Sequence, residues 1–445
     1  MSRPRPRPHP WWRQLALLLA LLALPACSES TPTIAPLPAE RPAAVASPTQ
    51  AAMPTPAPAP VVASGPTGAG TPDLSGLSLE VKIGQLLMAG VLGPELDADA
   101  RRLIGELHVG NVVLLDRNAV SPTQVRRLTQ DLQALARTAN GVGLLIAVDQ
   151  EGGAVQRLRA GFTLLPDAAT VGASRRPDLA RALGEVVGAE LRAVGVTMNL
   201  APVLDVNDTP YNPVIGRRAC GATPEVVERM GLAYLEGLRA AGVVAVGKHF
   251  PGHGSTTLDS HATLPVVAKD RAALEATELR PFRAAIAHGL EAVMTAHVAY
   301  PALDPMGLPA TLSAPILTDL LRGALGFQGV ILTDDLGMGA VAERWPPDEA
   351  AVQAVRAGAD IVVCARLTVP GACPPEALAR IRDGLLAAVR EGRLPLARVD
   401  AAVGRILALK ARYRVGEAPN GDLAQVGSAA HRGVVAAILD AARHP

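Results

Sequence analysis

The chain has 445 residues, with 42 Lys and Arg against 41 Asp and Glu, and this near balance argues against nucleic-acid binding. Aromatics make up only 2 %, and beyond Cys27 the odd count of Cys220, Cys364 and Cys373 argues against a disulfide framework, although Cys364 and Cys373 are close enough to pair. No CxxC spacing offers a zinc site.

Residues 1–27 have the pattern of an export segment. Arg3, Arg5, Arg7 and Arg13 make a basic start, and the apolar stretch 15–24 falls well short of the roughly 20 residues that cross a bilayer. It ends in Leu24-Pro25-Ala26-Cys27, which resembles a bacterial lipoprotein box. By that resemblance Cys27 becomes the lipidated first residue of a membrane-anchored, extracytoplasmic chain; plain secretion with cleavage near Ala26 is the alternative. Residues 28–74 are mostly Pro, Ala, Thr and Ser, cannot bury a core, and are expected to form a disordered tether.

Residues 75–413 have about the size of one α/β barrel. Short apolar runs recur at 86–91, 109–115, 144–148, 196–204, 243–246, 292–295, 330–333 and 361–364. Helix-like stretches separate them, among them 121–139, 177–193, 224–241 and 271–288, with Ser121-Pro122 and Thr223-Pro224 placed as N-cap and first helical residue. Near-continuous apolar runs alternating with helices indicate parallel strands buried on both faces. Eight such units predict an α/β fold of the (β/α)8 TIM type, with a doubly wound open sheet as the alternative.

Polar residues then fall just after the runs: Asp116, Asp149, Asp205, Lys248 with His249, His297, and Asp334 with Asp335. Ionisable groups at successive strand ends are the pattern of a barrel's catalytic face, though a buried aspartate can equally cap a helix or orient an arginine. The densest cluster is KHFPGHGSTTLDSH at 248–261, too polar for core and too rich in Gly and Pro for regular structure.

The residue types in this cluster suit acid/base chemistry. An aspartate two residues before a histidine, Asp259 before His261, can hold the ring in one tautomer and stabilise its protonated form. Asp334, at another strand end, is a candidate nucleophile, and a nucleophile with a separate proton donor is the equipment of a retaining glycosidase. Asp149, Arg157, Lys248 and His249 would then grip sugar hydroxyls. The adjacent Asp334 and Asp335 could instead support attack by a substrate's own acetamido oxygen. His249, His253, Asp259 and His261 as a metal site, or a loop of satisfied histidines, are the competing readings; Pro251 and Gly252 interrupt the helix that an HxxxH site needs.

The segment KHFPGHGSTTLDSH resembles the signature of glycoside hydrolase family 3, in the branch of bacterial β-N-acetylglucosaminidases. The resemblance continues through AVDQEGGAVQRL at 147–158, APVLDVN at 201–207, NPVIGRRACG at 212–221, TAHVAY at 295–300 and ILTDDLGMGA at 331–340. It implies a single (β/α)8-type catalytic domain, with Asp334 as nucleophile, His261 as proton donor and Asp259 as its partner. Asp149, Arg157, Arg218, Lys248 and His249 match sugar-binding positions. No metal or organic cofactor is implied, and the expected partner is a glycan, muropeptide-like or chitooligosaccharide-like. Phosphate in place of water as acceptor remains open.

Two departures stand out. Ala219 and Cys220 follow Arg218 where the family has serine and an aromatic residue. The stretch 426–432 resembles the start of the second domain that many relatives carry, so residues 414–445 are expected to be a tail, with that domain absent. Trp345 is a candidate either for stacking on a sugar or for packing at a helix start.

Overall fold

Val, Ile, Leu and Ala fill runs just long enough for one pass of a sheet, and in the computed structural model, which describes residues 73–365 and 375–444, these runs become parallel strands. The export segment, Cys27, the tether through residue 72 and Cys373 lie outside the described residues. The strands are β1 (Leu87–Gly90), β2 (Asn111–Leu114), β3 (Leu145–Val148), β4 (Met198–Asn199), β5 (Val244–Phe250), β6 (Ala292–Thr295), β7 (Val330–Asp335) and β8 (Ile361–Cys364). They pair in the closed order β1-β8-β7-β6-β5-β4-β3-β2, every pair parallel, which makes the (β/α)8 barrel.

Alternation along β3, β5 and β6 divides their side chains between two apolar layers. Leu145 and Ala147 of β3, Val244 and Val246 of β5, and Ala292 and Met294 of β6 belong to one buried cluster. Their neighbours Ile146, Val148, Ala245 and Val293 belong to the other, which also takes the inward faces of helices Pro122–Asn140, Pro177–Ala193 and Pro224–Ala240. The last two helices pack backbone to backbone: a Cβ on Gly184 would stand 2.3 Å from the Tyr234 carbonyl oxygen. Ser121 caps its helix by accepting from the Gln124 N–H, whereas Thr223 holds the cap position without a side-chain cap bond.

Four expectations change. The run 196–204 gives a ladder of only Met198–Asn199, because Pro202 has no N–H to donate and the chain beyond it touches β5 through a single bridge, Val203 to Lys248. β5 continues past Val246 to Phe250, so Lys248 and His249 stand inside the strand rather than after it, and β7 likewise includes Asp334 and Asp335. The stretch 271–288 is two helices, Arg271–Ala276 and Leu279–Ala287. Between them Glu278 is fully buried and accepts hydrogen bonds from Ser255 Oγ and from Lys269 Nζ at 2.6 Å.

The C-terminal tail is not loose. Helix Ala429–Arg443 packs on helices Ala168–Ala173 and Pro177–Ala193 and buries Ile438 completely. Glu190 pins it: the buried carboxylate accepts from the Gly427 N–H at 2.9 Å and faces His431 Nδ1 at 2.8 Å, while also accepting from the Thr163 hydroxyl at 2.6 Å. Trp345 sits partly buried against both apolar layers just before helix Pro347–Ala357, which is the packing role. No helix among the described residues is long and apolar enough to cross a membrane.

Candidate active site

The strand ends of β3, β5 and β7 converge on a cleft of about 310 Å³ lined by Asp149, Arg157, Arg218, Lys248, His249, Asp259, His261 and Asp334, the eight residues expected to form the site. Barrel geometry accounts for this, since parallel strands all deliver their C-terminal ends to one face.

At the floor lies an ionic cradle. Lys248 Nζ is 2.6 Å from Asp149 Oδ1 and 2.6 Å from Glu151 Oε1. Glu151 also takes a bidentate fork from Arg218, with Nε and Nη2 each at 2.8 Å. Burial opposes charge on Glu151, but Arg218 and Lys248 outweigh it and hold the carboxyl far below the usual range. Burial likewise opposes charge on Lys248, and Asp149 and Glu151 reverse the sign, keeping the ammonium charged. Glu151 is the functional residue that the sequence reading missed. The available signal was charge balance: two cations, the buried Lys248 and the half-buried Arg218, need more than the one carboxylate of Asp149.

His249 is oriented by Asp205, to whose Oδ2 its Nδ1–H donates at 2.7 Å, and its Nε2 lies 3.4 Å from Arg218 Nη2. Asp205 is fully buried, and although burial opposes its charge, His249 and His253 hold it below the normal range. Arg157 presents a guanidinium to the cleft whose Nε has no partner among the described residues, and its backbone N–H is tied to the Asp149 carbonyl at 3.2 Å.

On the cleft's rim, Asp259 Oδ1 accepts from both His261 Nδ1 at 2.6 Å and the His261 backbone N–H at 2.8 Å. That leaves the other ring nitrogen of His261 free to face a ligand. Asp334 is half-buried, and its Oδ1 accepts from the Asp335 N–H at 2.8 Å. Burial would raise its pKa, but the fields of His297, His249 and Lys248 together with that N–H bring it below the carboxylate norm.

Other strand-end groups serve the scaffold. Asp335 is buried and turns away, accepting from the Gly337 N–H at 2.9 Å and the Ala365 N–H at 3.2 Å. His297 is buried beneath Asp334, with Nε2–H donating to the Asp335 carbonyl at 2.9 Å. Asp116 is exposed in a single 3₁₀ turn and does not line the cleft. The imidazoles of His249, His253 and His261 are each bound to different partners, and no group of three or more metal-ligating side chains is assembled among the described residues. Ala219 and Cys220 are buried, and Arg218 keeps its place through Glu151.

Comparison with known proteins supplies the class. The chain matches the glycosyl hydrolase family 3 N-terminal domain over residues 78–409 and is a glycoside hydrolase. It is similar to a β-hexosaminidase of Alkalilimnicola ehrlichii, 46 % identical over 283 residues, which span 62 % of this chain and 79 % of that protein. Among solved structures it resembles a family 3 β-N-acetylglucosaminidase from Paenibacillus sp. str. FPU-7, with TM-score 0.78 and 45 % identity over 82 % of this chain and 69 % of that one. It also resembles a β-N-acetylhexosaminidase from Beutenbergia cavernae, with TM-score 0.70 and 37 % identity over 75 % of this chain and 99 % of that one. The chain belongs to glycosyl hydrolase family 3.

Proposed function

We propose that this enzyme is a retaining β-N-acetylglucosaminidase that removes terminal β-linked N-acetylglucosamine. The observation that carries the reading is the hydrogen-bonded Asp259–His261 pair lining the same cleft as the half-buried Asp334 carboxylate. Asp334 attacks the anomeric carbon and the glycosidic bond breaks. The imidazolium of His261, stabilised by Asp259, gives its cleft-side proton to the leaving oxygen. The neutral ring then takes a proton from water, whose oxygen displaces Asp334. Asp149, Arg157, Arg218, Lys248 and His249 supply charged and neutral hydrogen-bonding groups for the sugar hydroxyls. A cleft near the lower end of the usual ligand-pocket range suits a single terminal sugar. Attack by the acetamido oxygen is disfavoured because Asp335, the second acid it would use, spends both carboxylate oxygens on backbone N–H groups.

His261→Ala is expected to lower kcat/KM by about 10²-fold or more on an N-acetylglucosaminyl disaccharide, and far less on an aryl glycoside whose phenol leaves without a proton. Steady-state kinetics on the two substrates check this, and equal losses on both would remove His261 from the role of acid. Sugar 1-phosphate formed on adding phosphate would identify the acceptor as phosphate rather than water.

The natural substrate in this reading is a peptidoglycan-derived glycan or a related chitooligosaccharide, met outside the cytoplasm by an enzyme anchored through Cys27. The basic start, the short apolar stretch and the Leu24-Pro25-Ala26-Cys27 box support it. Metabolic labelling with a fatty acid should mark the wild-type protein and leave Cys27→Ala unmarked; an unlabelled wild-type chain released to the medium would favour plain secretion.

A further inference from the structure

The Asp259–His261 pair stands on a partly exposed bend, with only the small apolar cluster of Leu264, Ala299 and Ala340 beside it. Leu258, next to it, is 50 % exposed, and the Asp259 and His261 side chains are 45 % and 34 % exposed. Polar contacts add to that cluster in setting the position of His261. Buried polar groups beneath the loop reach it. His253 is 1 % exposed, its Nε2 lies 2.9 Å from Ser260 Oγ, and its Nδ1 lies 2.9 Å from Thr256 Oγ1. One ring therefore spans the loop and ends on the residue between Asp259 and His261. Asn212, also buried, donates from Nδ2 to the carbonyls of His253 at 2.9 Å and Gly254 at 3.0 Å.

The far end of the loop is held from the nucleophile's side. Just beyond β7, the Gly339 N–H donates to the His261 carbonyl at 2.9 Å and the Ala340 N–H to the Ser260 carbonyl at 3.2 Å. The approach is so close that a Cβ on Gly339 would lie 2.8 Å from the His261 carbonyl oxygen. Burial pushes the His253 ring down to about 4, so the strut is neutral at neutral pH.

We infer that Ser260, His253 and Asn212 are positioning residues that hold the acid/base loop against the segment following Asp334, so that loosening them impairs protonation of the leaving group while sparing nucleophilic attack. This rests on the reading of His261 as the acid. A purely structural role would lower activity on every substrate alike; a positioning role makes the loss depend on the leaving group.

The test uses the full chain as wild type, Ser260→Ala, Gly339→Ala and His261→Ala, with aryl β-N-acetylglucosaminides of graded phenol acidity and an N-acetylglucosaminyl disaccharide. Ser260→Ala removes one hydroxyl, and Gly339→Ala pushes the loop from the opposite side, so the two perturb it independently. The expected result is a loss of about 10-fold to 10²-fold on the disaccharide, shrinking to a few-fold on the most acidic phenol, with steeper dependence on leaving-group acidity than wild type. Ser260→Thr, which retains the hydroxyl, should recover part of the disaccharide activity. Equal losses across the series, or none, would overturn the inference. If His261→Ala itself shows no dependence on the leaving group, it is the acid assignment that fails instead.

Discussion

Asp334→Asn is expected to lower kcat/KM for an aryl β-N-acetylglucosaminide by ~10⁴-fold or more, as loss of a nucleophile does in enzymes that work through a covalent intermediate. The amide matches the carboxylate in shape, and its oxygen can still accept from the Asp335 N–H now 2.8 Å from Asp334 Oδ1, so the fold should survive. What is lost is the anion. Burial opposes it in the wild type, and the site keeps it ionised with His297, His249, the Asp335 N–H and Lys248. Because the folded pKa lies below the ordinary value, the nucleophile stays charged through neutral and mildly acidic pH. Near-wild-type turnover by the variant, measured on a protein with unchanged circular dichroism, would remove Asp334 from that role.

Glu151→Gln should produce the largest effect outside the reacting pair. Its carboxylate is the shared partner of Lys248 and Arg218, and an amide cannot neutralise either cation. Leaving buried charges underpaired costs roughly 3–5 kcal/mol, so chemical denaturation should show a loss of about 3 kcal/mol. Activity should fall with it, mainly as a higher KM, because Lys248 and Arg218 lose the geometry that aims them at the sugar. The sign of the pH dependence follows from the lowered pKa. The pair's contribution to stability is full above the unfolded value near 4.5 and is lost as pH falls through the depressed folded value, at strongly acidic pH. The variant's stability deficit should therefore be constant from neutral pH down to about 5 and narrow progressively as pH falls further. A stability equal to wild type at neutral pH would show that the cradle does not depend on Glu151.

The barrel was legible because its strands are short apolar runs of nearly the observed length: 292–295 and 361–364 coincide with β6 and β8. The exceptions have local causes. Pro202 cuts the ladder that 196–204 promised, and polar Lys248 and His249 continue β5 because their side chains find Asp149, Glu151 and Asp205, partners that no periodicity reveals. Helix 271–288 looked continuous because its apolar spacing is unbroken, yet Glu278 is drawn inward by Ser255 and Lys269. The predicted site residues converge as expected, since strand ends of a parallel barrel share one face. Glu151 escaped because it lies in a small hairpin after β3, where an acid looks like a solvated turn residue until its two cations are seen. The tail was undervalued for a similar reason: Glu190, mid-helix, gives no sign in sequence that it will hold Gly427 and His431.

The proposed reaction passes through a covalent glycosyl-enzyme on Asp334. Its most direct test is incubation with a slow fluorinated N-acetylglucosaminyl donor, followed by intact-mass measurement and peptide mapping. A mass increase of one sugar, confined to the peptide containing Asp334 and absent in Asp334→Asn, is the expected result. Turnover of the donor with no adduct, or an adduct on another residue, would contradict it.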